Sequence, residues 1–193
     1  MAARSVNVFP VPADPDPLTP AYEAMGVEGY YAAHGSSYRN PHEDGVAAAL
    51  RLAVVTWPLD LSHVLDLACG SGEATLVLRA LGARMIDGID PFTGEAYRQR
   101  TGQVAESVRF EDVAAGALAG RQWSMIVCSF ALHLVEQSRL PGVCRALADV
   151  SDTLVLITPH KRPTIREGWG WGIAEEVKHD RTRARLYRRV MYT

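Results

Sequence analysis

Between residues 63 and 159 the chain repeats one rhythm: a short apolar run, a small or acidic residue at its end, then apolar positions recurring every three to four residues. Short continuous apolar runs bounded by turn residues are the pattern of strands buried on both faces, and the intervening spacing is that of helices laid against them. The pattern predicts strands at residues 63–68, 84–90, 107–112, 123–130 and 153–159, with helices over 46–55, 73–81, 92–101 and 140–150. Strands and helices alternating in this way form βαβ units, and their sum is a parallel sheet.

After residue 159 the rhythm stops. PTIREGWGWG is too rich in glycine and proline for a long helix, whereas WGIAEEVKHD and TRARLYRRVMY both alternate with a period of two and meet around Asp180 and Arg181. This predicts an antiparallel hairpin. The expected fold is α/β, a Rossmann-like doubly wound sheet of seven strands, mostly parallel with a C-terminal antiparallel β-hairpin and helices on both faces.

The N-terminal part follows neither pattern. Residues 1–20 carry Pro10, Pro12, Pro15, Pro17 and Pro20 and read as a loose arm. Residues 21–58 combine an aromatic and histidine-rich segment with an alanine-rich helix and read as a helical cap or lid. Residues 59–193 form the core, so that 21–193 is one domain. With 193 residues, 48% apolar and 22% charged, the chain falls in the ordinary range of a single globular domain, which excludes a disordered tail, a collagen and a coiled coil. The longest apolar stretch, 123–135, is interrupted by Ser124, Ser129 and His133 and is too short to cross a bilayer. The proline-rich start lacks the cationic and apolar regions of a secretory signal. Cys69, Cys128 and Cys144 are odd in number, far apart and flanked by apolar residues, as reduced thiols are. A cytoplasmic protein is expected, and with no CxxC and no ligand spacing among the six histidines, no metal.

The richest local signal is VLDLACGSGEATLVLRAL, an apolar strand that runs through Ala68, Cys69, Gly70 and Gly72 straight into an amphipathic helix. Small residues allow a tight turn and let a ligand approach backbone N–H groups, and the helix N-terminus adds partial positive charge. The spacing is DxAxGxG rather than the GxGxxG of dinucleotide sites, and Asp66 would repel a pyrophosphate while suiting an amine. Asp90 ends the second expected strand in GIDP, where an acid can accept from a ribose diol or, alternatively, start a helix. Asp112, in FEDV, is placed to accept from an adenine amino group or to stand as a solvated loop acid. All three acids fall at the carboxyl ends of expected parallel strands, the edge where ligands bind in doubly wound sheets.

In DLACGSG, GIDP, FEDV and WSMIVCSFALHLV, taken in this order and spacing, the chain resembles the class I S-adenosylmethionine-dependent methyltransferases over about residues 59–159. The resemblance implies S-adenosylmethionine (SAM) as cofactor, S-adenosylhomocysteine (SAH) as its product, and a cofactor lying across the strand ends. It implies that Ala68, Cys69, Gly70 and Gly72 lie near the amino-acid part and that Asp90 holds the ribose; Asp66, read above as suiting an amine, and Pro91, next to Asp90, are counted with the cofactor contacts. Asp112 and Val113 would flank the adenine, and Ser129 and Phe130 would lie near the reacting methyl. In similar enzymes an N-terminal segment folds over the cofactor, which brings in Tyr31, Tyr38 and Asn40. Two positions depart from the pattern: Ala68 stands where the first loop glycine often lies, and Ser124 where many members begin the fourth strand with aspartate.

Methyl transfer from a sulfonium is an in-line displacement, so holding the acceptor close and aligned supplies most of the acceleration. His133, just past the fourth expected strand, is the candidate general base, with packing in its loop as the other reading. His34, His160 and Trp169 are candidate acceptor contacts. The aromatic cluster around Tyr30, Tyr31 and Tyr38 serves either as a lid or as packing for the first helices. Net charge is −2 but uneven: residues 161–193 hold 9 Lys/Arg against 4 Asp/Glu. That basic end either draws an anion or is the solvated face of edge strands. With no separate nucleic-acid module and no large insertion, the expected acceptor is a small metabolite or natural-product intermediate, with no membrane partner and a monomer or homodimer as the assembly; the other readings are RNA or protein as acceptor, drawn by the Arg-rich end, and a non-catalytic adenosyl-binding or partner-binding domain.

Overall fold

The computed structural model describes residues 26, 29–31, 33–159 and 162–190. The proline-rich arm and His160 lie outside the described residues. Six strands form one sheet: β1 (His63–Leu67), β2 (Met85–Ile89), β3 (Met125–Ser129), β4 (Thr153–Thr158), β5 (Trp171–His179) and β6 (Thr182–Arg189). Their order is β2-β1-β3-β4-β6-β5, with the first four parallel and β6 antiparallel to both β4 and β5. The helices are α1 (Glu43–Thr56), α2 (Glu73–Ala80), α3 (Gly94–Thr101), α4 (Phe110–Ala114) and α5 (Leu140–Ala148).

Strand parity divides the core in two. Leu65, Leu67, Ile126, Leu154 and Leu156 face α5 and join Val143, Leu147, Trp171 and Tyr187 in one cluster. Val64, Met125, Val127, Val155 and Ile157 face the other way and pack under α1 and α2 with Leu50, Ala53, Trp57 and Leu78. Because both faces are covered, the central strands carry no polar alternation, which is why they read as unbroken apolar runs.

The strand expected at 107–112 is not formed, so the sheet has six strands and not seven. The chain there touches β2 at one bridge only, Ile89 to Glu106. Asp112 then accepts the Arg109 N–H at 2.9 Å and closes the first turn of α4. A carboxylate three residues into a turn satisfies an N–H that a short helix leaves open, and this local capping outweighs the period-two pattern of VRFED. The hairpin forms as expected, turning at Asp180 and Arg181 with Asp180 in the left-handed region (φ 50°), and β5 carries a register break between Ile173 and Glu175. Four arginines of the basic end are engaged by the fold: Arg183 and Arg185 with Glu176 across the hairpin, and Arg189 with Asp152 and Arg188 with the Thr153 hydroxyl at the start of β4.

Beneath the N-terminal half of the sheet, Gly88 lies against the ring of Tyr97, which is fully buried and bonded through its hydroxyl to Thr75 Oγ1 at 3.0 Å. A Cβ at position 88 would stand 2.6 Å from Tyr97 Cζ. Gly88→Ala should therefore destabilise the protein by about 2 kcal/mol through overpacking. Chemical denaturation would show it as a lowered midpoint, and an unchanged midpoint would mean that the ring moves aside freely.

Candidate functional site

The carboxyl ends of β1, β2 and β3 converge on one cavity. Its walls include Tyr31, Tyr38, Asn40, Ala68, Cys69, Gly70, Asp90, Pro91, Ser129 and Phe130, all expected from the sequence. Glu73, Phe92, Val108, Arg109, Phe110, Glu111 and Leu134 also line it and were not expected.

The glycine loop is shaped by three consecutive constraints. Ala68 leaves β1 in the left-handed region (φ 55°), the conformation for which glycine is the ordinary choice, so the backbone here shows why glycine is common at this position and Ala68 holds the same turn at some strain. Cys69 donates its N–H to Ile89 O at 3.1 Å, stitching the loop to β2. Gly72 begins α2 with φ 91°, and a Cβ there would lie 2.4 Å from Thr101 Cγ2, so only glycine lets the helix start against α3. Burial, with Asp66 and Asp90 nearby, pushes the Cys69 thiol far up, so this lining cysteine is no nucleophile.

Asp90 anchors the centre of the site. Its Oδ2 accepts the Gly70 N–H at 3.2 Å, while Oδ1 accepts those of Phe92 and Thr93 at 2.8 and 3.0 Å. Burial raises its pKa, and these backbone N–H groups pull it back in part. Thr93 closes the ring of contacts by donating its hydroxyl to Gly70 O at 2.7 Å. One carboxylate thus fixes the loop after β1 and the loop after β2 together.

Asp66 is placed differently from expectation. It shares the parity of Val64, so it points beneath α2 instead of into the cavity. There Oδ2 accepts the Thr75 N–H at 3.0 Å and the Thr75 hydroxyl at 2.7 Å, while the buried Oδ1 has no hydrogen-bond partner among the described residues. Desolvation, with Glu73 and Asp90 adding like charge, raises its pKa to about 7.

Around this centre stand aromatic groups. The ring of Phe92 lies against Tyr31 at 5.8 Å between centroids, and the Arg109 guanidinium is 5.4 Å from it. Tyr31 also meets Tyr38 edge-on at 5.3 Å. Phe130, at the end of β3, has φ 54° and stacks on His42 at 5.2 Å. The N-terminal segment is tied down by charge as well, since Arg100 of α3 bridges Glu43 of α1 at 2.5 Å and Glu73 at 3.1 Å.

Several expected residues do not line this cavity. Gly72 is buried behind the loop, Val113 is in the core under α5, and Asp112 is exposed at the start of α4. His133 is half-buried in the turn after β3, where its neighbour Leu134 reaches the cavity. His34 is exposed and stacked on Tyr30 at 4.8 Å, and Trp169 packs on the α5 side of the sheet beside Arg166. Among the described residues no group of His, Cys, Asp and Glu is arranged to hold a metal, and no helix is long and apolar enough to cross a membrane.

Solved structures share this architecture. The magnesium protoporphyrin IX methyltransferase ChlM of Synechocystis PCC 6803, solved with bound SAM, superposes with a TM-score of 0.56 at 18% identity, covering 89% of this chain and 94% of its own. The CcbJ methyltransferase of Streptomyces caelestis gives 0.61 at 15% identity over 83% and 96% of the two chains. The DhpI–SAH complex gives 0.62 at 20% identity over 83% and 93%. The fold is that of the class I SAM-dependent methyltransferases. No family model matches the chain. The chain belongs to the family of the uncharacterized protein C17A5.05c of Schizosaccharomyces pombe (strain 972 / ATCC 24843), to which it is 30% identical over 220 residues, covering 86% of this chain and 89% of the relative.

Proposed function

We propose that the protein is a SAM-dependent methyltransferase acting on a small-molecule acceptor. The observation that carries this reading is the buried Asp90 carboxylate at the end of β2, lining the cavity while it holds the glycine loop by the Gly70 N–H. A carboxylate so placed accepts from a ribose diol, and the apolar walls of Pro91, Phe92, Val108 and Phe110 suit an adenine. The charge of the site fits as well. Glu73 and Asp90 stand close enough to Asp66 to raise its proton affinity, and this concentration of carboxylates favours a ligand bearing a sulfonium and an ammonium and disfavours a pyrophosphate.

When bound, SAM supplies an already activated methyl group. The protein's part is to hold the acceptor in line with it and to exclude water, for which no metal is required. Ser129, Phe130 and Leu134 form the wall past β3, and Tyr31, Tyr38 and Asn40 cover the other side. ChlM, CcbJ and DhpI support a small acceptor by their likeness in fold. His133 is not carried into the reaction, since Leu134 and not His133 reaches the cavity.

Calorimetric titration with SAM tests the reading. Binding in the micromolar range is expected, with SAH competing and NADH not binding. If protein shown to be free of carried-over product binds neither SAM nor SAH, the methyltransferase reading fails.

A further inference from the structure

Glu73 opens α2 directly after the glycine loop, and its side chain is only 4% exposed. Helical side chains lean back toward the N-terminus, so this one turns toward the loop and not along the helix surface. Its two oxygens are used unequally. Oε1 accepts from the Ser71 hydroxyl, from the Asn40 N–H at 3.2 Å and from Arg100 Nη1 at 3.1 Å. Oε2 has no hydrogen-bond partner among the described residues, Glu73 lines the cavity, and a Cβ built on Gly70 would stand 3.1 Å from Oε2 and 3.3 Å from Tyr38 Cε1. Gly70 also gives its N–H to Asp90, so two carboxylates flank one residue of the loop.

A nearly buried carboxylate oxygen that faces a cavity without a donor is costly unless a ligand brings one, and the strongest complement is a cationic N–H. Asp66, the acid to which the sequence pattern assigns an amine, is turned beneath α2 and does not line the cavity. From this geometry we propose that Glu73 receives the α-ammonium group of the cofactor's amino-acid part, an inference that rests on the methyltransferase reading above. The same carboxylate fastens Asn40 over the site and, through Arg100, is joined to Glu43 of α1. Recognition of the amino acid and closure of the N-terminal segment therefore run through one side chain.

The test compares SAH with 5′-deoxy-5′-methylthioadenosine, which keeps the adenosine and lacks the amino acid, by calorimetry on wild type and Glu73→Gln. Glutamine keeps an acceptor for Asn40 and Arg100 and loses the charge. SAH should bind the variant about tenfold or more weakly, the scale of one charge-assisted hydrogen bond, while methylthioadenosine binds both proteins within about twofold. Equal losses for both ligands would make Glu73 a purely structural residue and overturn the assignment, as would undiminished SAH binding. A ligand-side measurement needs no variant: the desamino analogue of SAH should bind wild type about tenfold more weakly than SAH, and equal affinity would overturn the assignment. Failure of wild type to bind either SAH or methylthioadenosine would overturn the methyltransferase reading itself, and Glu73 with it.

Discussion

Asp90→Ala should bind SAM about a hundredfold more weakly than wild type, a loss of about 2.7 kcal/mol. Two contributions add. Removing a charged acceptor from a buried ribose diol costs about 1.5–3 kcal/mol. The same carboxylate also holds the backbone N–H groups of Gly70, Phe92 and Thr93, so its loss loosens both loops that shape the cavity. Asp90→Asn is the milder change, because an amide oxygen still accepts from Phe92 and Thr93 while the charge and the bond from Gly70 are lost, and its affinity should fall about tenfold. Calorimetry on folded variants checks the pair, and affinity unchanged in Asp90→Ala would remove Asp90 from the ribose.

The second large effect is on stability and concerns Asp66. Burial raises its pKa from 3.8 to about 7. Between those values the folded chain keeps the proton and the unfolded chain releases it, so the folded state loses stability as pH rises across the window. Above pH 7 the full penalty is present, about 4 kcal/mol for a shift of this size. Asp66→Asn preserves an acceptor for the two Thr75 donors and cannot ionise. Denaturation midpoints of the two proteins should be close at pH 4, with the variant pulling ahead as pH rises to 8. Both proteins keep a downward slope through Asp90, whose pKa is also raised. Parallel pH profiles would show that Asp66 ionises in the folded protein as readily as in the unfolded one.

Strand positions along β1, β3 and β4 were legible because strands covered on both faces leave a continuous apolar record. The hairpin was legible for a different reason, its period of two and its turn at Asp180. The segment 107–112 misled because VRFED satisfies strand alternation, yet one carboxylate, Asp112, makes a local bond that starts a helix. At the site, sequence order placed Asp90, Pro91, Gly70 and Phe130 at the correct edge of the sheet. It could not decide to which face Asp66 points, since that depends on the residue at which β1 enters the sheet, and a shift of one reverses it. Glu73 carried a signal that was available: it is the first residue after the loop's last glycine, close enough to lean back over it. Arg100 carried none, because its partners Glu43 and Glu73 are distant along the chain and are met only when α1, α2 and α3 pack together.

The register break between Ile173 and Glu175 bears on how the sheet ends. A free strand edge is a template for a second chain, and a long, flat one invites fibrous growth. Here the outermost strand is bent near its start, and Glu175, Glu176, Lys178 and His179 follow the bend. An incoming strand would lose its ladder at the break and bring its own backbone against charged side chains. The hairpin that completes the sheet thus also blunts its own outer edge, making that margin a poor template for an added strand.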